Sequence, residues 1–96
     1  MTSIKNLTKL RDLSIYGNAI SNTSDIARLT NLEHLYIGNT GISDISIIKN
    51  MTDLIDFDAQ YNDISNTEPL SNLINLQTLN LSNNNIEKKK RIIEKM

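Results

Sequence analysis

The sequence predicts an α/β solenoid, with one short strand per 22-residue turn and the strands stacked in parallel. Three observations carry this. The pattern L-x-x-L-x-L-x-x-(N/T)-x-I occurs four times, at 10–20, 32–42, 54–64 and 76–86, offset by 22 residues without drift. Aligned as 4–25, 26–47, 48–69 and 70–91, the copies share six apolar columns. Of those 24 positions 23 are Ile, Leu, Met or Phe, and the whole chain holds only 31 such residues, so chance placement does not explain the columns. Finally, a unit with one short strand cannot bury its own apolar face, and stacking the copies makes a continuous core.

Each element follows from its own stretch. Leu13-Ser14-Ile15, Leu35-Tyr36-Ile37 and Leu79-Asn80-Leu81 have period two, the signature of a strand with alternate residues buried. The return path, Ile26-x-x-Leu29-x-x-Leu32, has period three, which suits a tight 3₁₀-like turn rather than a full α-helix. The ninth position of the pattern is Asn18, Thr40, Asn62 and Asn84. An inward Asn amide both donates and accepts, so it satisfies backbone groups where the chain turns after the strand, and stacked copies form a ladder. Thr40 has no amide, and its rung is expected to be weaker. In the third copy Phe57 replaces Leu and Ala59 replaces a bulky residue. This reads as a volume exchange, with a local dent in the sheet as the alternative.

The ends differ from the middle. Only Met1-Thr2-Ser3 precede Ile4, so the first turn is expected to expose Ile4, Leu7 and Leu13, either as a fragment or as a surface buried against another copy in a homodimer. Residues 87–96 are rich in helix formers, and Ile92, Ile93 and Met96 share a helical face. A short C-terminal cap helix is expected over about 87–96.

Length and charge narrow the function. The 96 residues, with a net charge of -1, suit a single domain over 1–96. No cysteine is present, so neither disulfides nor thiolate metal sites contribute. No apolar run approaches the roughly 18 residues of a membrane span. The absence of a signal-like apolar segment points to a cytoplasmic location for the chain as it stands. Residues 1–87 carry 5 Lys/Arg against 10 Asp/Glu, whereas 88–96 carry 5 against 1. An acidic body argues against a nucleic-acid surface there.

Leu29-Thr30-Asn31-Leu32, Ile42-Ser43-Asp44-Ile45-Ser46 and Leu79-Asn80-Leu81-Ser82-Asn83-Asn84 closely resemble the leucine-rich repeat of the internalin-like and SDS22-like 22-residue class. The resemblance covers about 4–86. It implies a curved right-handed coil with the parallel sheet on its concave face and 3₁₀-like turns on the convex face. It also implies protein binding as the usual role, no enzymatic activity and no cofactor. A fragment of an internalin-like protein would belong at the cell surface or be secreted. The alternatives are an intracellular scaffold or phosphatase-regulatory module of SDS22 type, and a self-associating structural module.

If Leu35 and Ile37 point inward, their neighbours point to the concave face. The outward columns are then Asp12/His34/Asp56/Thr78, Ser14/Tyr36/Asp58/Asn80 and Tyr16/Gly38/Gln60/Ser82, with Gly17/Asn39/Tyr61/Asn83 and Ala19/Gly41/Asp63/Asn85 in the flanking loop. These five columns contain four Asp, all three Tyr and neither Lys nor Arg. A partner-binding face is expected at Asp12, Tyr16, His34, Tyr36, Asp56, Asp58, Gln60, Tyr61 and Asn80. Its partner would be another protein presenting basic or mixed polar residues. The plainer reading is a solvated polar face. Asp12, His34 and Asp56 contain the donor types of a divalent-metal site, and with Ser14 those of a hydrolase. Parallel rungs do not converge on one point, and nothing supplies an oxyanion hole or cleft. Three sequons, at Asn6, Asn22 and Asn50, are explained by Asn recurring as a repeat residue, and the basic run Lys88–Arg91 by a solvated cap.

Overall fold

The Leu-x-Leu alternation produces four three-residue strands in a computed structural model that describes residues 7–20 and 23–86. They are β1 (Asp12–Ser14), β2 (His34–Tyr36), β3 (Asp56–Asp58) and β4 (Thr78–Asn80). The strands form one parallel sheet in chain order, and each residue pairs with the one 22 positions on: Leu13 with Leu35, Leu35 with Phe57, Phe57 with Leu79. The repeat length is therefore the sheet register. Each crossover is the right-handed connection that twisted parallel strands require.

The ladder continues beyond the strands. Ile15 N donates to Tyr36 O, Ile37 N to Asp58 O and Ala59 N to Asn80 O, all at 2.8–2.9 Å. One step further, Gly17 N, Asn39 N and Tyr61 N donate to Gly38 O, Gln60 O and Ser82 O. At this position the chain enters the left-handed region in each turn, at Gly17, Asn39, Tyr61 and Asn83 (φ 80°, 54°, 58° and 60°). Glycine and asparagine tolerate that region; tyrosine does so at a cost.

The core is built from the six columns, with Ile45 added from outside them. Ile26, Leu29, Leu32, Leu35, Ile37, Ile48, Met51, Leu54, Ala59 and Ile64 have no exposed surface, and Phe57 has almost none. Ala59 is fully buried in the third turn, as is Phe57 two residues before it. Burial falls toward the ends. Leu10, Leu13 and Ile20 are half-buried, Leu7 is exposed and Leu79 is 41% exposed. Ile4, at the expected open first turn, and the expected cap helix over 87–96 lie outside the described residues.

Two of the three connections are 3₁₀ turns, Ser46–Ile48 and Glu68–Leu70, closed by Lys49 N to Ser46 O and Ser71 N to Glu68 O. The first instead closes as a single α-helical turn, α1 (Thr23–Ala27). Ala27 is the strongest helix former at its position, where the later copies carry Lys49 and Ser71. Asp25 lies in the first turn of α1, where the dipole favours a carboxylate, and Pro69 removes a donor from the equivalent place in the third connection. Among the described residues no helix is long and apolar enough to cross a membrane.

Candidate binding face

β2 and β3 place the centre of the face. Their outward residues His34, Tyr36, Asp56 and Asp58 are half-buried, because neighbouring strands at about 4.8 Å crowd them from both sides. The equivalent Asp12 and Ser14 on β1 are more exposed. The register puts Asp12, His34, Asp56 and Thr78 on successive rungs.

His34 ties its column together. Its Nδ1 lies 2.5 Å from Asp56 Oδ2 and its Nε2 lies 3.8 Å from Asp12 Oδ1. A carboxylate only accepts, so Nδ1 carries the proton in this contact. The two carboxylates sit at opposite edges of the ring, and the three groups do not converge on one point. Among the described residues no set of three or more His, Cys, Asp or Glu is arranged to hold a metal ion.

The same crowding shifts two groups. Hydrogen bonds from Thr78 and His34 hold the Asp56 carboxyl below its ordinary value. Thr78 was absent from the residues expected at the face, although its column position was the signal that could have found it. Partial desolvation, then the charges of Asp56 and Asp12, push the Tyr36 phenol up, and Asp58 adds to this. Tyr36 therefore stands as a neutral donor among three carboxylates.

The remaining expected residues divide. Tyr16 does not simply project outward. Gly38 is buried under its ring, and a Cβ at Gly38 would lie 2.5 Å from Tyr16 Cε2 and 3.2 Å from Gln60 O. The missing side chain in the second turn is what seats the aromatic from the first. Asp58 turns partly onto its own loop, accepting from Gln60 N and Gln60 Nε2, both at 3.1 Å. Asn80 does the same with Ser82 N and Oγ. Such local bonds rigidify the loop and leave carboxylate lone pairs free. Tyr61 is 53% exposed on the loop after β3, and no described residue bonds its hydroxyl. The face thus gathers His34, Tyr36, Asp56 and Asp58 at its centre, Asp12 and Asn80 on the flanking strands, and Tyr16, Gln60 and Tyr61 along the loop side.

Family models for leucine-rich repeats match residues 8–50, as two copies, and 75–96. Among solved structures, an internalin (InlF) from Listeria monocytogenes is 37% identical with a TM-score of 0.83, covering 88% of this chain and 25% of its own. A second internalin from the same bacterium is 36% identical with a TM-score of 0.84, covering 88% and 38%. A leucine-rich-repeat protein of Leptospira interrogans is 27% identical with a TM-score of 0.80, covering 99% and 25%. The Arabidopsis receptor kinase HAESA ectodomain, solved with a peptide hormone, shares the fold at 22% identity and a TM-score of 0.70, covering 85% and 15%. The chain therefore spans a quarter to less than two fifths of the two internalins. Among curated proteins none matches.

Proposed function

The chain belongs to the internalin-like leucine-rich-repeat proteins, and from that premise we propose that its acidic concave face binds another protein that presents basic or mixed polar contact residues. Proteins of this repeat family commonly mediate protein–protein interaction. One relative in fold, the HAESA ectodomain, holds a peptide. The observation that carries the proposal is the sign of the face. Asp12, Asp56 and Asp58 surround Tyr36, and none of the five outward columns contains Lys or Arg. A partner presenting Arg or Lys gains complementary charge and a phenol that donates a hydrogen bond. Half-buried carboxylates are screened less than free surface charges, so they discriminate better between partners of opposite sign.

A fluorescein-labelled peptide of alternating arginine and serine, with a glutamate–serine peptide as control, tests this by anisotropy. The arginine peptide is expected to bind and the glutamate peptide not. Tyr36→Ala and Asp58→Lys should each weaken binding by about tenfold. Lys49→Glu on the convex side should leave it unchanged. Equal binding of both peptides, or indifference to both concave substitutions, removes the proposal.

A further inference from the structure

The loop after β3 breaks the pattern of the other three. Every turn carries a left-handed residue at this position, and the other turns fill it with Gly17, Asn39 and Asn83. The third turn meets it with Tyr61, at φ 58°. The backbone there has no freedom to relax. Tyr61 N is tied to Ser82 O at 3.0 Å, and Gln60 O accepts from Asn39 N at 2.9 Å. The next residue, Asn62, fixes its amide to Ile37 O and Ala59 O at 2.9 Å each. A bulky side chain is disfavoured in this conformation because its Cβ crowds the backbone, and asparagine relieves much of that crowding.

Folding gains little in return. The Tyr61 ring is half exposed and its hydroxyl has no partner among the described residues. Two residues on, Asp63 stands exposed where the other turns carry Ala19, Gly41 and Asn85. Asp58, the last residue of β3, stands three residues before Tyr61. A strained, solvent-facing aromatic with an aspartate three residues before it and another two residues after it is costly for stability and suited to a cation, which is attracted to the ring face as well as to negative charge.

We infer that Tyr61 is the residue of the concave face that selects its partner, by stacking an arginine or lysine side chain of that partner on its ring, and that the fold carries its strained backbone for this purpose. The inference rests on the concave-face reading and adds a residue and a contact to it. Stability and binding should consequently move in opposite directions at this position.

The test uses the same arginine–serine peptide with thermal unfolding alongside. Tyr61→Asn is expected to raise the midpoint by roughly 4–8 °C through relief of the left-handed strain. The same variant should bind the peptide about tenfold more weakly. Tyr61→Phe keeps the ring and should match the parent in both measurements. A midpoint for Tyr61→Asn at or below the parent overturns the strain argument. Unchanged binding by Tyr61→Asn overturns the role in selection, and a loss in Tyr61→Phe as large as in Tyr61→Asn assigns the contact to the hydroxyl instead. Asp58→Lys separates the two levels. If it weakens binding while Tyr61→Asn does not, only this inference falls; if it too has no effect, the concave-face reading falls with it.

Discussion

The junction between the second and third turns and the junction between the first and second share the same strand pairing but are held differently. At the later junction the Asn62 side-chain carbonyl accepts from Thr40 N and Gly41 N at 2.9 Å. Its amide nitrogen donates to Ile37 O in the previous turn and Ala59 O in its own. Asn84 repeats the arrangement, donating to Ala59 O and accepting from Ile64 N. At the earlier junction Thr40 turns its hydroxyl to Ile37 O within its own turn, and Asn18 makes long bonds to Ile15 O and Tyr16 O, also local. Past the strands, the described residues join the first turn to the second through backbone, Gly17 N to Gly38 O at 2.9 Å and Ile20 N to Thr40 O at 3.3 Å, while on the other side of the strands Asn31 Nδ2 donates to Thr8 O at 2.8 Å. At this one position the side chain thus decides whether the loops after the strands are tied by an amide or by backbone only. An amide spans two turns because it donates and accepts at once, and a hydroxyl satisfied locally does not reach.

Substitutions can break that contrast, beginning with the core on which both junctions rest. Phe57→Ala is expected to destabilise by about 4 kcal/mol, whereas Leu79→Ala, at the exposed end of the same column, should cost only about 1 kcal/mol. Similar urea-unfolding losses for the two would show that burial is not graded along the solenoid. Asn62→Ala removes the partner of several backbone groups in two turns, and a loss of about 3 kcal/mol is expected. Hydrogen exchange should rise first at Thr40 and Gly41, and protection unchanged at both amides would contradict the stitching.

Thr40→Asn sharpens the contrast from the other side. Thr40 is buried, and asparagine there has nearly the same volume and the reach to join the first turn. A gain of about 1 kcal/mol is expected. A loss would show that the Thr40 hydroxyl already serves the site better than an amide.

The smallest effect concerns acid. Asp56 has a folded value below its ordinary 3.8, so its contribution is present above the unfolded value and is lost as pH falls through the folded one. Asp56→Asn should therefore lose less stability than the parent between about pH 5 and about pH 3. Parallel urea midpoints for parent and variant over that range would exclude the Thr78 and His34 contacts as the cause.

Much of this was legible in the chain itself. A strict period of 22 residues sets the register, because parallel strands in a solenoid pair at the repeat length. Strand alternation sorts Leu35 from His34 and Tyr36 without coordinates. The weak rung at Thr40 follows from the absence of an amide. Other features depend on where neighbouring turns meet. Tyr16 lies over Gly38 because one turn lacks a side chain where the next needs room. His34 reaches both Asp56 and Asp12 because three rungs stand about one strand spacing apart. The left-handed backbone of Tyr61 sits where every turn bends the same way, flanked by hydrogen bonds to the turns on either side and against the residue's own preference. The repeat by itself determined the stack and its two faces, since periodicity is a property of one dimension. Only the tertiary structure decided which side chains touch across turns, because those contacts depend on the space that each neighbour leaves.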